Sequence, residues 1–269
     1  MSTDQETFQL DLATAERYEA DFVPALFASC AQVTLDAVEP ADGDRLVDVA
    51  CGSGIVARTA ANRWGDRLTI TGIDLNPSML TVARRLAPSI DWRQGDAAAL
   101  PLDDDAADVA TCQMAAMFFP DRVAAFAELA RVVKPGGRVA VVVPATLDAQ
   151  AAYGPFMAAA DAHVGPEARS LLDAYWSCGD PLALGDEVAE AGLEVTDRRT
   201  QLSTARFASP AGFVDVELGS TPLADRVTGE VRDRLVADLA ARLERYLPAD
   251  GGPIELPFAN AVVTAVVPG

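Results

Sequence analysis

Between residues 45 and 145 the chain alternates between two textures, and this alternation restricts its fold more than any other feature. Short runs rich in Val, Ile and Leu are separated by Ala-rich segments with helical spacing. Short apolar runs without polar alternation read as strands buried on both faces, as in a parallel sheet. The predicted strands are 45–50, 68–75, 90–95, 107–114 and 137–144, and the predicted helices between them are 55–64, 77–86 and 121–132. Pro77 suits the first position of its helix, where a missing N–H costs nothing. Pro135-Gly136-Gly137 reads as a turn. Such alternation specifies a doubly wound α/β fold, with a mostly parallel sheet and helices on both faces.

The flanks read differently. Residues 13–27 and 28–38 are predicted helices, with Pro24 marking a bend or boundary. Residues 148–163 and 166–176 read as inserted helices, and 182–191 as a helix ended by Gly192. Residues 195–207 read as a strand, 228–246 as a long amphipathic helix and 255–267 as a final strand. At 269 residues, half of them hydrophobic, the chain suits one domain over 1–269 with a sizeable core. In this layout the N-terminal helices (1–40) and the helical insertions at 146–181 and 208–250 form a lid over a ligand site.

Composition removes several functions. A formal charge of −19 argues against a nucleic-acid partner, which needs a basic patch. No apolar run approaches the ~18–20 residues of a membrane span, and the first residues lack the basic and apolar regions of a secretion signal. Cys30, Cys51, Cys112 and Cys178 form no C-x-x-C pair and have apolar neighbours. They read as free thiols in a reducing cytoplasm. No metal-ligand spacing occurs.

The strongest local signal is VDVACGSG at 47–54, which closes a strand and opens a helix. Glycines there allow a tight turn and close approach of a ligand, and the helix aims its first N–H groups at the same space. Asp74, twenty residues past Gly54 at the end of the next strand, can accept both ribose hydroxyls of an adenosine ligand. Two ligand classes use this geometry, because Gly52-Ser53-Gly54-Ile55-Val56-Ala57 also fits the dinucleotide pattern. The Tyr-x-x-x-Lys pair of short-chain dehydrogenases is absent, since the only lysine is Lys134 and Ala130 precedes it by four.

Four blocks in order resemble the class I S-adenosylmethionine-dependent methyltransferases. These are 47–54, GIDLNPSML at 72–80, QGDAAALPL at 94–102 and the stretch 108–143. The chain looks most like the small-molecule branch that includes quinone-biosynthesis-type and natural-product methyltransferases. The resemblance implies a Rossmann-like seven-stranded sheet with its last strand antiparallel, and S-adenosylmethionine as cofactor. It implies that Asp48, Ala50, Cys51, Gly52 and Gly54 form the turn against the methionine part, with Asp74 on the ribose. Leu75 and Met79 would flank the adenine, and Asp96 and Ala97 would read its edge. Gln113 would face the methionine end, and Tyr18 would close over the cofactor. Ala50 departs from the glycine that many relatives carry, which makes the turn less permissive.

Methyl transfer is an in-line displacement, so alignment and exclusion of water dominate, and alignment can supply ~7–11 kcal/mol. No residue is assigned as the catalytic base. His163 is the first candidate, set against a plain helix-end role, with Asp161 and Tyr153 behind it. The acceptor, a small hydrophobic or aromatic molecule, would be lined by Phe118 and Phe119 after the fourth strand. Phe22, Tyr153, Phe156, Met157, Tyr175 and Trp176 would line it from the lid helices. The competing readings are a cyclase or isomerase that keeps the fold, an NAD(P)-dependent oxidoreductase, and a non-catalytic cofactor sensor.

Overall fold

The computed structural model describes residues 10–219, 223 and 227–269. Residues 1–9 of the expected N-terminal lid, and 220–222 and 224–226 of the second insertion, lie outside the described residues.

The apolar runs fold into seven strands: β1 (Arg45–Val49), β2 (Thr69–Asp74), β3 (Asp91–Gln94), β4 (Ala107–Gln113), β5 (Val133–Pro144), β6 (Glu194–Phe207) and β7 (Ile254–Val266). They form one sheet in the order β3-β2-β1-β4-β5-β7-β6. β1 to β5 pair in parallel, whereas β7 runs antiparallel to both β5 and β6. The strand order reverses between β1 and β4, and an open α/β sheet receives ligands at the carboxyl ends beside such a switch point. β5 starts earlier than expected. A bulge absorbs Lys134 to Gly137, with Gly136 at φ +76°, its N–H donating to Val267 O at 2.8 Å.

Helices α3 (Ile55–Trp64), α4 (Pro77–Leu86) and α5 (Arg122–Val132) follow the motifs. Asn76 caps α4 by accepting the Ser78 and Met79 N–H groups, and Asp121 caps α5 by accepting that of Ala124. N-terminally, α1 (Leu12–Phe22) and α2 (Ala28–Val38) are joined through a π-helical turn, Val23–Phe27. Pro24 therefore does not break the helix: it sits at the start of the wide turn, where its missing N–H is tolerated. This corrects the expected boundary, and with it the expectation of no span-length apolar helix. The continuous 27-residue helix Leu12–Val38 is long and apolar enough to cross a membrane by length and composition alone, but 50% of its apolar 18-residue stretch is buried inside the protein, as in a core helix.

The remaining helices are α6 (Tyr153–His163), α7 (Pro166–Asp173), α8 (Pro181–Glu190), α9 (Pro210–Gly219) and α10 (Gly229–Arg242). α6 starts five residues later than expected because Pro155 is compatible only with a first turn. Gln150, just before it, is buried and clamps β5 to β7 through Ala145 O and both backbone groups of Ala259. α2, α6, α9 and α10 pack with β6 and β7 around one apolar cluster, while α5 and α8 cover the other face.

Candidate active site

The floor of the site is the turn after β1. Ala50 adopts φ +54°, a left-handed conformation that costs alanine about 1–2 kcal/mol. Met114, at the end of neighbouring β4, adopts φ +54° as well. Two non-glycine residues are thus held in strained backbone where the switch point opens.

Asp74 closes β2 beside them. Its Oδ2 accepts the Gly52 N–H at 2.7 Å and its Oδ1 accepts the Asn76 N–H at 2.8 Å. Burial raises its pKa, while both hydrogen bonds work against that rise. Leu75 follows with 41% exposure, an apolar side chain left facing solvent beside the carboxylate. Ser53 Oγ is buried in the turn and finds no partner among the described residues.

The glycines serve two purposes. A Cβ on Gly52 would come no nearer than 3.8 Å to the Tyr18 hydroxyl, so Gly52 faces the space that Tyr18 roofs. Gly54 and Gly72 instead receive the Trp92 indole, which would lie 2.2 Å from a Cβ on either. Tyr18, Phe22 and Phe27 stack with centroids 5.4–6.0 Å apart over this end of the sheet. Burial, followed by the nearby Asp74 carboxylate, pushes the Tyr18 phenol well above its ordinary range. Met79 is buried under α1 with Ala15 and Val82. Arg58–Glu19 and Arg85–Glu16 ion pairs fasten α1 to α3 and α4.

Several expected cofactor contacts take other parts. Asp48 is 1% exposed and lies beneath the turn, accepting from Thr111 Oγ1 at 3.0 Å and Ala57 N at 3.2 Å. It braces the turn rather than lining the opening, and burial pushes its pKa up to about 7. Cys51 Sγ points into the core, within 3.2 Å of where a Cβ on Gly72 would be. Gln113 is also buried, accepting from Thr34 Oγ1 at 2.8 Å and donating to Phe27 O at 3.4 Å. Its amide thereby ties β4 to the N-terminal helices. Asp96 and Ala97 line a small cleft of about 190 Å³ with Phe119, Pro120 and Asp121. Phe119 therefore groups with the expected adenine edge, and Phe22 with the Tyr18 roof.

The expected acceptor residues divide as well. Phe118, 37% exposed after β4, meets Tyr175 edge-to-face at 6.0 Å. Tyr153 forms the hub of an aromatic cluster with Phe156, Trp176, Phe213 and Phe258, at centroid distances of 5.1–6.1 Å. Phe156 and Met157 are fully buried in the same cluster. His163 is not part of the cluster. Its Nε2 pairs with Asp238 at 3.1 Å, and Asp238 also holds Arg242, so the histidine ties α6 to α10.

One residue of this region went unnoticed in the sequence. Glu217 on α9 is 4% exposed, and its Oε1 accepts the Tyr153 hydroxyl at 2.6 Å. Its signal was an acid, two residues after Asp215, set among Phe213, Val214, Val216 and Leu218. A larger cleft of about 590 Å³ lies at the opposite end of the sheet, lined by Arg45, Thr69, Asp91 and Ala107 at the strand amino ends. Arg45 there is paired with Asp108 and Arg93 with Asp91, and the switch point is at the other end of the strands. Among the described residues, no group of His, Cys, Asp and Glu side chains is placed to hold a metal ion.

Comparison with known proteins fits this geometry. Residues 47–141 match the model of a methyltransferase domain. A nocamycin O-methyltransferase of Saccharothrix syringae is 33% identical over 258 residues, covering 88% of this chain and 90% of the relative. Two solved structures share the fold at lower identity. A phosphoethanolamine N-methyltransferase 2 of Haemonchus contortus in complex with S-adenosyl-L-methionine has 18% identity and a TM-score of 0.59, over 99% of this chain and 59% of that one. The [4+2]-cyclase SpnF has 22% identity and a TM-score of 0.54, over 90% and 81%. With a relative 33% identical and matched over 90% of its length, this chain belongs to the class I methyltransferase family.

Proposed function

We propose that this chain transfers a methyl group from S-adenosylmethionine to a small hydrophobic or aromatic acceptor. The observation that carries the reading is Asp74: a carboxylate at the end of β2, 2.7 Å from the Gly52 N–H of the turn after β1. The residues present suit the cofactor. Gly52 leaves room under Tyr18, Leu75 offers an exposed apolar side chain for a base, and Ser53 Oγ is a buried hydroxyl without a partner. The backbone of Ala50, Gly52 and Gly54 would hold the methionine end, Asp74 the ribose, and Leu75 with Ala97 the adenine.

The bound cofactor supplies an electrophilic methyl group on a cationic sulfur. The chain's own work is alignment and exclusion of water. Tyr18, Phe22 and Phe27 cover the cofactor end. The N-terminal helices and the insertions 146–181 and 208–250 act as the lid. Phe118 and Tyr175 offer edges of aromatic ring against which a flat acceptor stacks. The four unpaired, buried thiols support a reducing cytoplasm as the working compartment.

The test is product mass. Incubation with S-adenosylmethionine and a panel of aromatic acceptors should give a product heavier by one methylene unit, with S-adenosylhomocysteine formed in equal amount. A product of unchanged mass would mark a cyclase or isomerase instead, since the fold does not settle the reaction.

A further inference from the structure

Glu217 has no part in the sheet, the turn or the lid's surface ion pairs. α9 carries it inward beside Phe213, Val214 and Leu218, all fully buried. A carboxyl in such surroundings must be compensated, and the Tyr153 hydroxyl does so from 2.6 Å. Two further groups complete the set. Trp176 is 9% exposed, and its indole N–H, on a ring 5.2 Å from that of Tyr153, finds no acceptor among the described residues. Burial, followed by the nearby Glu217 carboxylate, raises the Tyr175 phenol to about 12.

This cluster adjoins the cofactor end. Tyr175 meets Phe118 after β4, with ring centroids 6.0 Å apart. Arg17, next to Tyr18, donates to Gly219 O at 3.0 Å, which fastens the end of α9 to α1 two residues beyond Glu217.

We propose that Glu217 accepts the proton lost when a hydroxyl-bearing aromatic or enolic acceptor is methylated, with Tyr153 holding the carboxyl in place. This rests on the methyl-transfer reading above. The acceptor oxygen bonds to the methyl carbon, the carbon–sulfur bond breaks with its electron pair left on sulfur, and the hydroxyl proton passes to the Glu217 carboxylate. A sulfonium cation and a carboxylate anion thus become a neutral thioether and a neutral acid, a change that an apolar surround favours. Burial pushes Glu217 up to about 7, against the opposing Tyr153 hydrogen bond, which suits a base working near neutrality.

The test compares wild type with Glu217→Gln, Glu217→Asp and Tyr153→Phe. The readouts are S-adenosylhomocysteine affinity, melting temperature against pH, and methylation of phenol, catechol and naphthol. Glu217→Gln should bind S-adenosylhomocysteine as wild type does. It should lose part of the fall in melting temperature toward neutral pH. On the best phenol its kcat should drop ~10²–10⁴-fold with KM nearly unchanged, and the wild-type rise in rate through about pH 7 should vanish. Tyr153→Phe should keep that rise but move it upward, because a hydrogen bond favouring the carboxylate is gone. If Glu217→Gln fails to fold, Glu217→Asp decides: it should retain the pH limb at a reduced rate, and wild-type behaviour would overturn the proposal. The proposal is equally overturned if Glu217→Gln turns over at the wild-type rate, or if wild type binds S-adenosylhomocysteine yet methylates none of the phenols. Failure of wild type to bind S-adenosylhomocysteine would remove the methyl-transfer reading, and this inference with it.

Discussion

At the proposed cofactor end the structure is mostly backbone: the turn 50–54, with the Cys51, Gly52 and Gly54 N–H groups hydrogen-bonded within the protein, left-handed conformations at Ala50 and Met114, and one carboxylate on Gly52 N. At the proposed acceptor end the structure is side chain packed on side chain: aromatic rings from α6, α9, β7 and the segment after α7, with one carboxyl among them. The first end is held by strand pairing and helix caps, so it tolerates change in apolar volume elsewhere. The second is held by ring-on-ring packing and by ties between its helices such as Tyr153–Glu217 and His163–Asp238. A methyltransferase can therefore keep the cofactor end and vary the acceptor end, because alignment of one donor is common to many acceptors.

Four measurements would break or sharpen this contrast. Phe156→Ala empties the centre of the acceptor end and should cost about 3–5 kcal/mol in denaturant unfolding, leaving S-adenosylhomocysteine affinity unchanged in the folded fraction. A matching loss of affinity would mean that the two ends are not separate. Asp74→Ala should do the reverse, weakening S-adenosylhomocysteine by about 1.5–3 kcal/mol in calorimetry with little change in unfolding.

The third measurement is the pH dependence of stability. Each end holds one buried acid raised to about 7, Asp48 from its ordinary 3.8 and Glu217 from 4.5. Between the ordinary and the raised value the folded chain keeps a proton that the unfolded chain has lost. Stability should therefore fall as pH rises from about 4 to about 7, by about 1.4 kcal/mol per unit for each group. Asp48→Asn and Glu217→Gln should each remove their own part of that slope. A stability that rises across this window would contradict both burials. His163→Ala is the smallest change. Losing its tie to Asp238 should cost no more than about 1 kcal/mol and leave turnover intact, and a large drop in kcat would return the histidine to the active site.

The same contrast decides what could be read before the structure. The turn 47–54 and Asp74 were legible because strand, turn and helix follow one another along the chain, so spacing alone brings Gly52 to Asp74. The seven strands were legible from their own apolar runs, whereas the reversal of β7 followed only from the resemblance to the family. The close fit of Trp92 against Gly54 and Gly72 was not, because it forms across neighbouring strands. Asp48 and Gln113 sit in motif blocks, yet their side chains turn inward to Thr111 and Thr34, contacts set by how β1 packs on β4 and β4 on α2. Pro24 looked like a boundary because the wide turn that accommodates it has no sequence signature of its own. Glu217 escaped notice because its meaning depends on Tyr153, 64 residues away in sequence.

The central claim is that the turn after β1 and Asp74 form a site for S-adenosylmethionine. Melting temperature with S-adenosylmethionine, S-adenosylhomocysteine and NAD(H), each in large excess, tests it most directly. A ligand at 100 times its dissociation constant stabilises the fold by ~2.7 kcal/mol, which should raise the melting point by a few degrees. The account predicts that rise with the two sulfur nucleotides, its loss in Asp74→Ala, and none with NAD(H). A rise with NAD(H) alone, or one that survives Asp74→Ala undiminished, would contradict it.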